Sequence, residues 1–210
     1  MYVAELWRYP VKSLRGEALG SADVLPDGLR GDRRCQVRAG DGSLVTARTR
    51  PALLALSAIA GDGDMPLVEG VPWDSEQAQA AVRETVGDGA RLEPSSERRF
   101  DETALLVATD GALADLGVDR RRLRPNIVVG GVEGLAEREW EGRQLAIGEL
   151  LIDVDHLCER CVMTTIDPDT QELDPDVLRR INEQYAQLFA LNCEVARPGR
   201  IAVGDPVELL

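Results

Sequence analysis

Cys158 and Cys161 enclose Glu159-Arg160 in a C-x-x-C pair, the combination in this chain best suited to metal or redox chemistry. The spacing serves a zinc half-site, a redox dithiol, or a metal-binding thiolate beside a structural thiol. Two inert cysteines on a buried strand would read the same way. A closed zinc site needs a second pair of ligands, yet Cys35 and Cys193 are single and far apart, and His156 is the one histidine. A redox dithiol usually opens a helix in a βαβ unit. Here the pair runs into Val162-Met163-Thr164-Thr165-Ile166, whose β-branched residues predict a strand.

Two further segments carry groups for an anion or a polar heterocycle. Arg124-Pro125-Asn126 precedes the apolar Ile127-Val128-Val129; arginine offers a planar fork to phosphate, and asparagine can donate and accept along a ring edge. Tyr9-Pro10-Val11-Lys12-Ser13-Leu14-Arg15-Gly16 places an ammonium and a hydroxyl on a tight loop. Arginines are also clustered between Arg30 and Arg50 and again at Arg120, Arg121, Arg122 and Arg124. Such patches attract small anions on an acidic protein, although arginines of this kind also decorate solvated turns.

The elements that must position these groups are short. Residues 1–9 predict a strand ended by Pro10, and turn signals on either side of Gln36–Arg38 predict a hairpin returning over Ser43–Ala47. Pro51 opens a short helix through Ile59, and a second helix runs from Asp74, with Gln77 as its capping-box partner, to Val86. After the polar Glu93–Arg99 stretch come a strand at Leu105–Ala108, a short helix at Ala112–Leu116 and a strand at Ile127–Val129. Gln144–Ile147, Leu150–Val154 and Val162–Ile166 read as further strands, Asp174-Pro175 as a helix start, and Arg200–Leu210 as a closing pair of strands. Short strands at this spacing favour a barrel or sandwich over βαβ units.

At 210 residues and 44% hydrophobic content the chain can bury one good-sized core or two small lobes. A net charge of −13 with only 4% aromatic residues excludes nucleic acid as a partner class. Glu5 stands where a signal peptide would need an apolar core, and the stretch near Leu53–Ala60 is too short to span a bilayer. The expectation is a cytoplasmic protein with reduced cysteines and no membrane association.

In order, these segments resemble the MOSC-domain family, the group named for the C-terminal domain of molybdenum cofactor sulfurase, together with the β-barrel N-terminal domain that often precedes it. The resemblance covers nearly the whole chain. It rests on Tyr9-Pro10-Val11-Lys12-Ser13, Gly31-Asp32-Arg33, Thr46-Ala47-Arg48, Arg124-Pro125-Asn126-Ile127-Val128-Val129, and Glu139-Trp140 with Gly142. Cys158-x-x-Cys161 with Thr164-Thr165-x-Asp167-Pro168, and Val203-Gly204-Asp205-Pro206-Val207, complete it. The pattern is similar to the mitochondrial amidoxime-reducing components and their bacterial counterparts.

The resemblance implies a mixed, mainly β fold: a smaller N-terminal β-rich domain over 1–90 and a MOSC β-barrel with short peripheral helices over 91–210. It implies the molybdenum cofactor, with Cys161 as the metal ligand and catalytic centre. Lys12, Ser13, Arg33, Arg124 and Asn126 would lie on the pterin and phosphate, and Arg48 would brace the site from behind. Where relatives carry a serine this chain has Gly111-Ala112, so Thr109 or the following backbone N–H groups would take that phosphate contact. Gln171 replaces a usual glycine and Cys35 a usual tryptophan. Pyridoxal phosphate binding is also associated with the family. The implied activity is reduction of small N-hydroxylated or N-oxide compounds, with electrons from a separate ferredoxin- or flavoprotein-type donor. The alternative is a carrier that transfers cofactor or sulfur without turnover.

Overall fold

A computed structural model describes residues 1–95 and 99–210. Part of the polar Glu93–Arg99 stretch, residues 96–98, thus lies outside the described residues. The fold is mainly β, as the sequence predicts. An eight-stranded sheet runs in the order Glu208–Leu209, Gln144–Ile147, Leu150–Glu159, Leu188–Arg197, Leu105–Thr109, Ile127–Gly130, Tyr2–Arg8, Glu17–Leu19. Leu105–Thr109 and Ile127–Gly130 are parallel, joined by the helix Asp110–Leu116, so one βαβ crossover sits inside an otherwise antiparallel sheet.

Strand alternation explains which face is covered. Leu150, Ile152 and Val154 point inward from one strand and pack with Val3, Leu6, Ile127 and Val129. Ala22, Val24, Leu29 and Ile201 close this core from a small sheet of Ser21–Leu25, Gly28–Leu29 and Gly199–Ala202. A second core holds Ala108, Leu116, Leu123 and Phe189 against the helix Pro175–Tyr185. That helix is capped by Asp174, whose carboxylate accepts the Asp176 N–H, and it buries Val177, Ile181 and Tyr185 at a spacing of four. A third core gathers Val37, Leu53, Val68, Val82 and Leu92 from the segment between Cys35 and Pro94, and Ile166 joins it from far along the chain. Among the described residues no helix is long and apolar enough to cross a membrane.

Several local expectations are corrected. Val162–Thr165 is a 3-10 turn, not a strand, because the Thr164 and Thr165 hydroxyls donate to carbonyls three residues back and so favour a turn. The helix from Pro51 stops at Ala55, and Ala58–Ala60 is a strand paired with Pro66–Val68. The second helix spans Glu76–Val86 with Ser75 as its cap; its hydroxyl takes the Ala78 N–H, which displaces the Asp74–Gln77 box. The last two strands do not pair with each other. Gly199–Ala202 joins Ser21–Leu25, and Glu208–Leu209 joins Gln144–Ile147. The ten-residue strand Leu188–Arg197, central to the large sheet, is an element that the sequence pattern does not predict.

Candidate functional site

The amino ends of the two parallel strands open onto a cleft of about 320 Å³, within the range of small-ligand sites. Lys12, Ser13, Arg33, Arg48, Arg124, Asn126 and Cys161 all line it. The fold thus brings together seven residues drawn from the loop after Tyr2–Arg8, two turns of the middle segment, the entry to Ile127–Gly130 and the exit of Leu150–Glu159.

Cys158 is the penultimate residue of its strand, and its two partners show how it is held. Its thiol donates to Glu159 O at 3.6 Å and faces Arg160 Nη1 at 3.2 Å. Burial pushes this thiol up against the opposing pull of Arg160, which keeps it protonated. The chain then turns: the Arg160 N–H donates to Gln187 O at 2.8 Å, and Cys161 leads into the 3-10 turn. Arg48 lies beside the Cys161 sulfur and is ion-paired with Asp101. Burial pulls this guanidinium down, but the sulfur and the carboxylate more than compensate, and the net direction is upward. Among the described residues no three His, Cys, Asp or Glu side chains gather as a metal cage. Cys35 and Cys193 are buried in separate cores. Cys158 and Cys161 are the two cysteines that line this cleft.

Six basic residues face three acidic ones in the lining, an electropositive cleft on an acidic protein. Lys12, the single lysine of the chain, pairs with Asp101 at 2.7 Å. Asp32, fully buried, accepts from the Tyr9 N–H at 2.7 Å, from Asn126 Nδ2 at 3.3 Å and from Arg33. Asn126 also donates to Trp7 O at 3.3 Å and accepts the Leu106 N–H at 3.2 Å. Its amide is therefore committed to splicing neighbouring strands, and it shapes the cleft floor more than it offers donors.

Arg33 and Arg124 are not on solvated turns. Arg124 stacks 4.1 Å from the Tyr9 ring centroid and donates to Leu14 O at 2.8 Å; Arg33 lies over Tyr9 and Phe100 at 5.2 and 5.6 Å. Burial pulls the Arg124 guanidinium down to about 10, and Arg33 beside it adds to the effect. Arg124 Nη2 and Arg160 Nε are buried without a hydrogen-bond partner among the described residues. Such unpaired donors cost stability unless an acceptor arrives. Among the described residues nine non-glycine residues have positive φ, and four of them, Ser13, Arg33, Arg124 and Gln187, line the cleft. Backbone strain collects where function needs a fixed geometry.

Thr109 is the site candidate that the fold does not bring to the cleft. It ends the strand that Leu105 begins, about 13 Å away at roughly 3.3 Å per residue. Its hydroxyl caps the next helix by accepting the Ala112 N–H at 3.2 Å and donates to Glu137 at 3.1 Å. A Cβ on Gly111 would lie 2.3 Å from Val132 O, so the space for a serine is filled by backbone. Conversely, Arg122 of the second arginine cluster lines the cleft, and so do three residues not marked above, Arg160, Asp101 and Glu102. Arg160 had a signal, its place between the two cysteines; the others converge only in three dimensions.

Human mitochondrial amidoxime reducing component 2 is 30% identical over 98% of this chain and 82% of its own length. Human mitochondrial amidoxime-reducing component 1 is 27% identical over 99% and 82%. Molybdenum cofactor sulfurase of Drosophila grimshawi is 28% identical over 63% of this chain and 18% of its own. In fold, the YuaD protein from Bacillus subtilis superposes with a TM-score of 0.51 at 14% identity, covering 99% of this chain and 94% of that one. Residues 1–107 match the MOSC N-terminal beta barrel domain and residues 97–208 the MOSC domain, and the chain therefore belongs to the MOSC family.

Proposed function

We propose that this protein holds the molybdenum cofactor through Cys161 and reduces N-hydroxylated or N-oxide compounds, taking electrons from a separate ferredoxin- or flavoprotein-type protein. The observation that carries this reading is the pair of orphaned guanidinium donors, Arg124 Nη2 and Arg160 Nε, in a cleft that also presents the Cys161 thiol. An anionic, acceptor-rich ligand with one open metal position satisfies both features, since thiolate is a soft donor and arginine matches phosphate and pterin oxygens.

When bound, the cofactor supplies the two-electron change that removes oxygen from nitrogen. The chain supplies position and electrostatics. Cys161 provides the sulfur ligand, and the Arg48 guanidinium lies beside it. Arg124 and Arg160 take the ligand's acceptors, Asp32 fixes Arg33, and Lys12 with Ser13 closes the loop side. Pyridoxal phosphate fits less well, because it needs a free lysine amine and Lys12 is ion-paired with Asp101.

The test is protein made in a host that produces the cofactor, assayed for molybdenum, for pterin fluorescence and for turnover. One molybdenum per chain and reduction of N-hydroxylated compounds by reduced viologen, but not by NADH alone, is the expected result. Metal without turnover on several N-oxygenated compounds, with transfer of cofactor to an apo-enzyme, replaces the reductase by a carrier.

A further inference from the structure

Removing oxygen from nitrogen consumes protons. In R–NH–OH + 2 e⁻ + 2 H⁺ → R–NH₂ + H₂O, the N–O bond breaks, an N–H bond forms and the oxygen leaves as water. The electrons come from the separate donor protein of the proposed function, on which this inference rests. The two protons have to be supplied at the cleft. Cys158 is kept protonated by burial but is tied to Glu159 O.

At the rim, three side chains from different elements converge. His156 on Leu150–Glu159 stands opposite Asn192 on Leu188–Arg197, and Glu102 reaches them from the segment that enters Leu105–Thr109. His156 Nε2 is 3.1 Å from Glu102 Oε2, and Asn192 Nδ2 is 3.0 Å from Nε2 and also donates to Glu102 Oε2. His156 Nδ1 lies 3.1 Å from Asp155 Oδ2. Glu102 and buried Asn192 line the cleft; His156 does not, and its side chain is 44% exposed. The chain of contacts therefore leads from solvent to the cavity.

We infer that His156 and Glu102 form a proton relay into the cleft, with Asn192 as the residue that holds them in register. His156 takes a proton from water, its Nε2–H passes to Glu102, and Glu102 delivers it to the departing oxygen or to the nitrogen. The triangle is satisfied in each state. With His156 charged, both its Nε2–H and the Asn192 amide donate to the Glu102 carboxylate. Once the proton has gone into the cleft, neutral Nε2 can accept the same amide N–H. The charged groups facing His156 are Asp155 on its own strand and Glu102 across from it, and Glu102 also acts on the Cys158 thiol. Burial is the largest single influence and pulls the imidazole down, but the two carboxylates together outweigh it, so it titrates above its usual value and is charged more often near neutral pH.

The chain has one histidine, so its imidazole signals are unambiguous. NMR titration of wild type and Glu102→Gln should show His156 titrating at lower pH in the variant. Molybdenum content should be unchanged in Glu102→Gln, Glu102→Asp and His156→Gln. With reduced viologen as donor, Glu102→Gln should lose about 100-fold in rate, the size of a general-acid contribution, and Glu102→Asp should recover part of it. His156→Gln should move the alkaline limb of the pH–rate profile to lower pH. An unmoved His156 titration in Glu102→Gln overturns the relay, as do variants that match wild type at every pH or that lose molybdenum. A wild-type protein that keeps molybdenum and reduces nothing overturns the reductase reading itself, a result separable from the first because the titration needs no turnover.

Discussion

At the carboxyl ends of the parallel strands Leu105–Thr109 and Ile127–Gly130 the polar groups are paired off. Thr109 caps a helix and donates to Glu137, while Asp110 accepts the N–H groups of Gly111, Gly131 and Val132 at 2.7–3.0 Å. At the amino ends the same two strands meet a cleft with strained residues at Ser13, Arg33 and Arg124 and with unpaired guanidinium nitrogens. Open α/β sheets usually place ligands at the carboxyl ends of their strands. Here those ends are sealed by local side chains, and the long-range loops around the amino ends leave the donors that want a ligand. One strand pair thus carries a stability end and a binding end, and each residue's expected effect follows from the end it occupies.

The sharpest contrast is between the two cysteines at the binding end. Cys161→Ser should abolish molybdenum retention and Cys158→Ser should leave most of it, because one thiolate suffices and Cys158 is held protonated by burial. Equal loss in both, read as metal per chain, breaks the single-thiolate site. Arg124→Met comes next. It should weaken cofactor retention by about 10- to 100-fold, the worth of a charged hydrogen bond of roughly 1.5–3 kcal/mol. The melting temperature of the cofactor-free protein should hold or rise, since the buried guanidinium, depressed by burial to about 10, is a cost to the empty fold. A collapse of cofactor-free stability with retention intact would make this end structural too. The smallest effect belongs to the sealed end: Thr109→Ala should cost about 1 kcal/mol, or roughly 2–4 °C, with cofactor content unchanged. Loss of cofactor without loss of stability in that variant would return Thr109 to the site.

What the sequence disclosed follows the same division. Lys12, Ser13, Arg33, Arg48, Arg124, Asn126 and Cys161 could be named because each sits in a short segment whose residue types mark it, and the cleft collects all of them. Thr109 was named from a local substitution and lies at the other end of its strand, a distance that local spacing does not express. Asp101 and Glu102 carry no local mark because their partners are far along the chain: Asp101 pairs with Lys12 and Arg48, and Glu102 with His156 and Asn192. The strand Leu188–Arg197 was missed for a different reason. Phe189 through Cys193 are all buried, so period-2 alternation is lost, and Asn192 interrupts the apolar run. Val162–Thr165 failed in reverse, where β propensity yielded to threonine hydroxyls that close a turn.

The pairing of Tyr2–Arg8 with Ile127–Gly130 also sets a clock on synthesis. At about 5–20 residues per second, roughly 6–25 s pass between the appearance of Arg8 and that of Ile127. Until then the first strand has only the short Glu17–Leu19 for a neighbour, and its other edge is unpaired. A second copy of the chain presents the same Ile127–Gly130 edge, equally able to receive it. Exchange of the first strand between copies is therefore the misassembly that this topology invites at high rates of expression, and each exchanged copy would still carry a complete cleft, built across two chains.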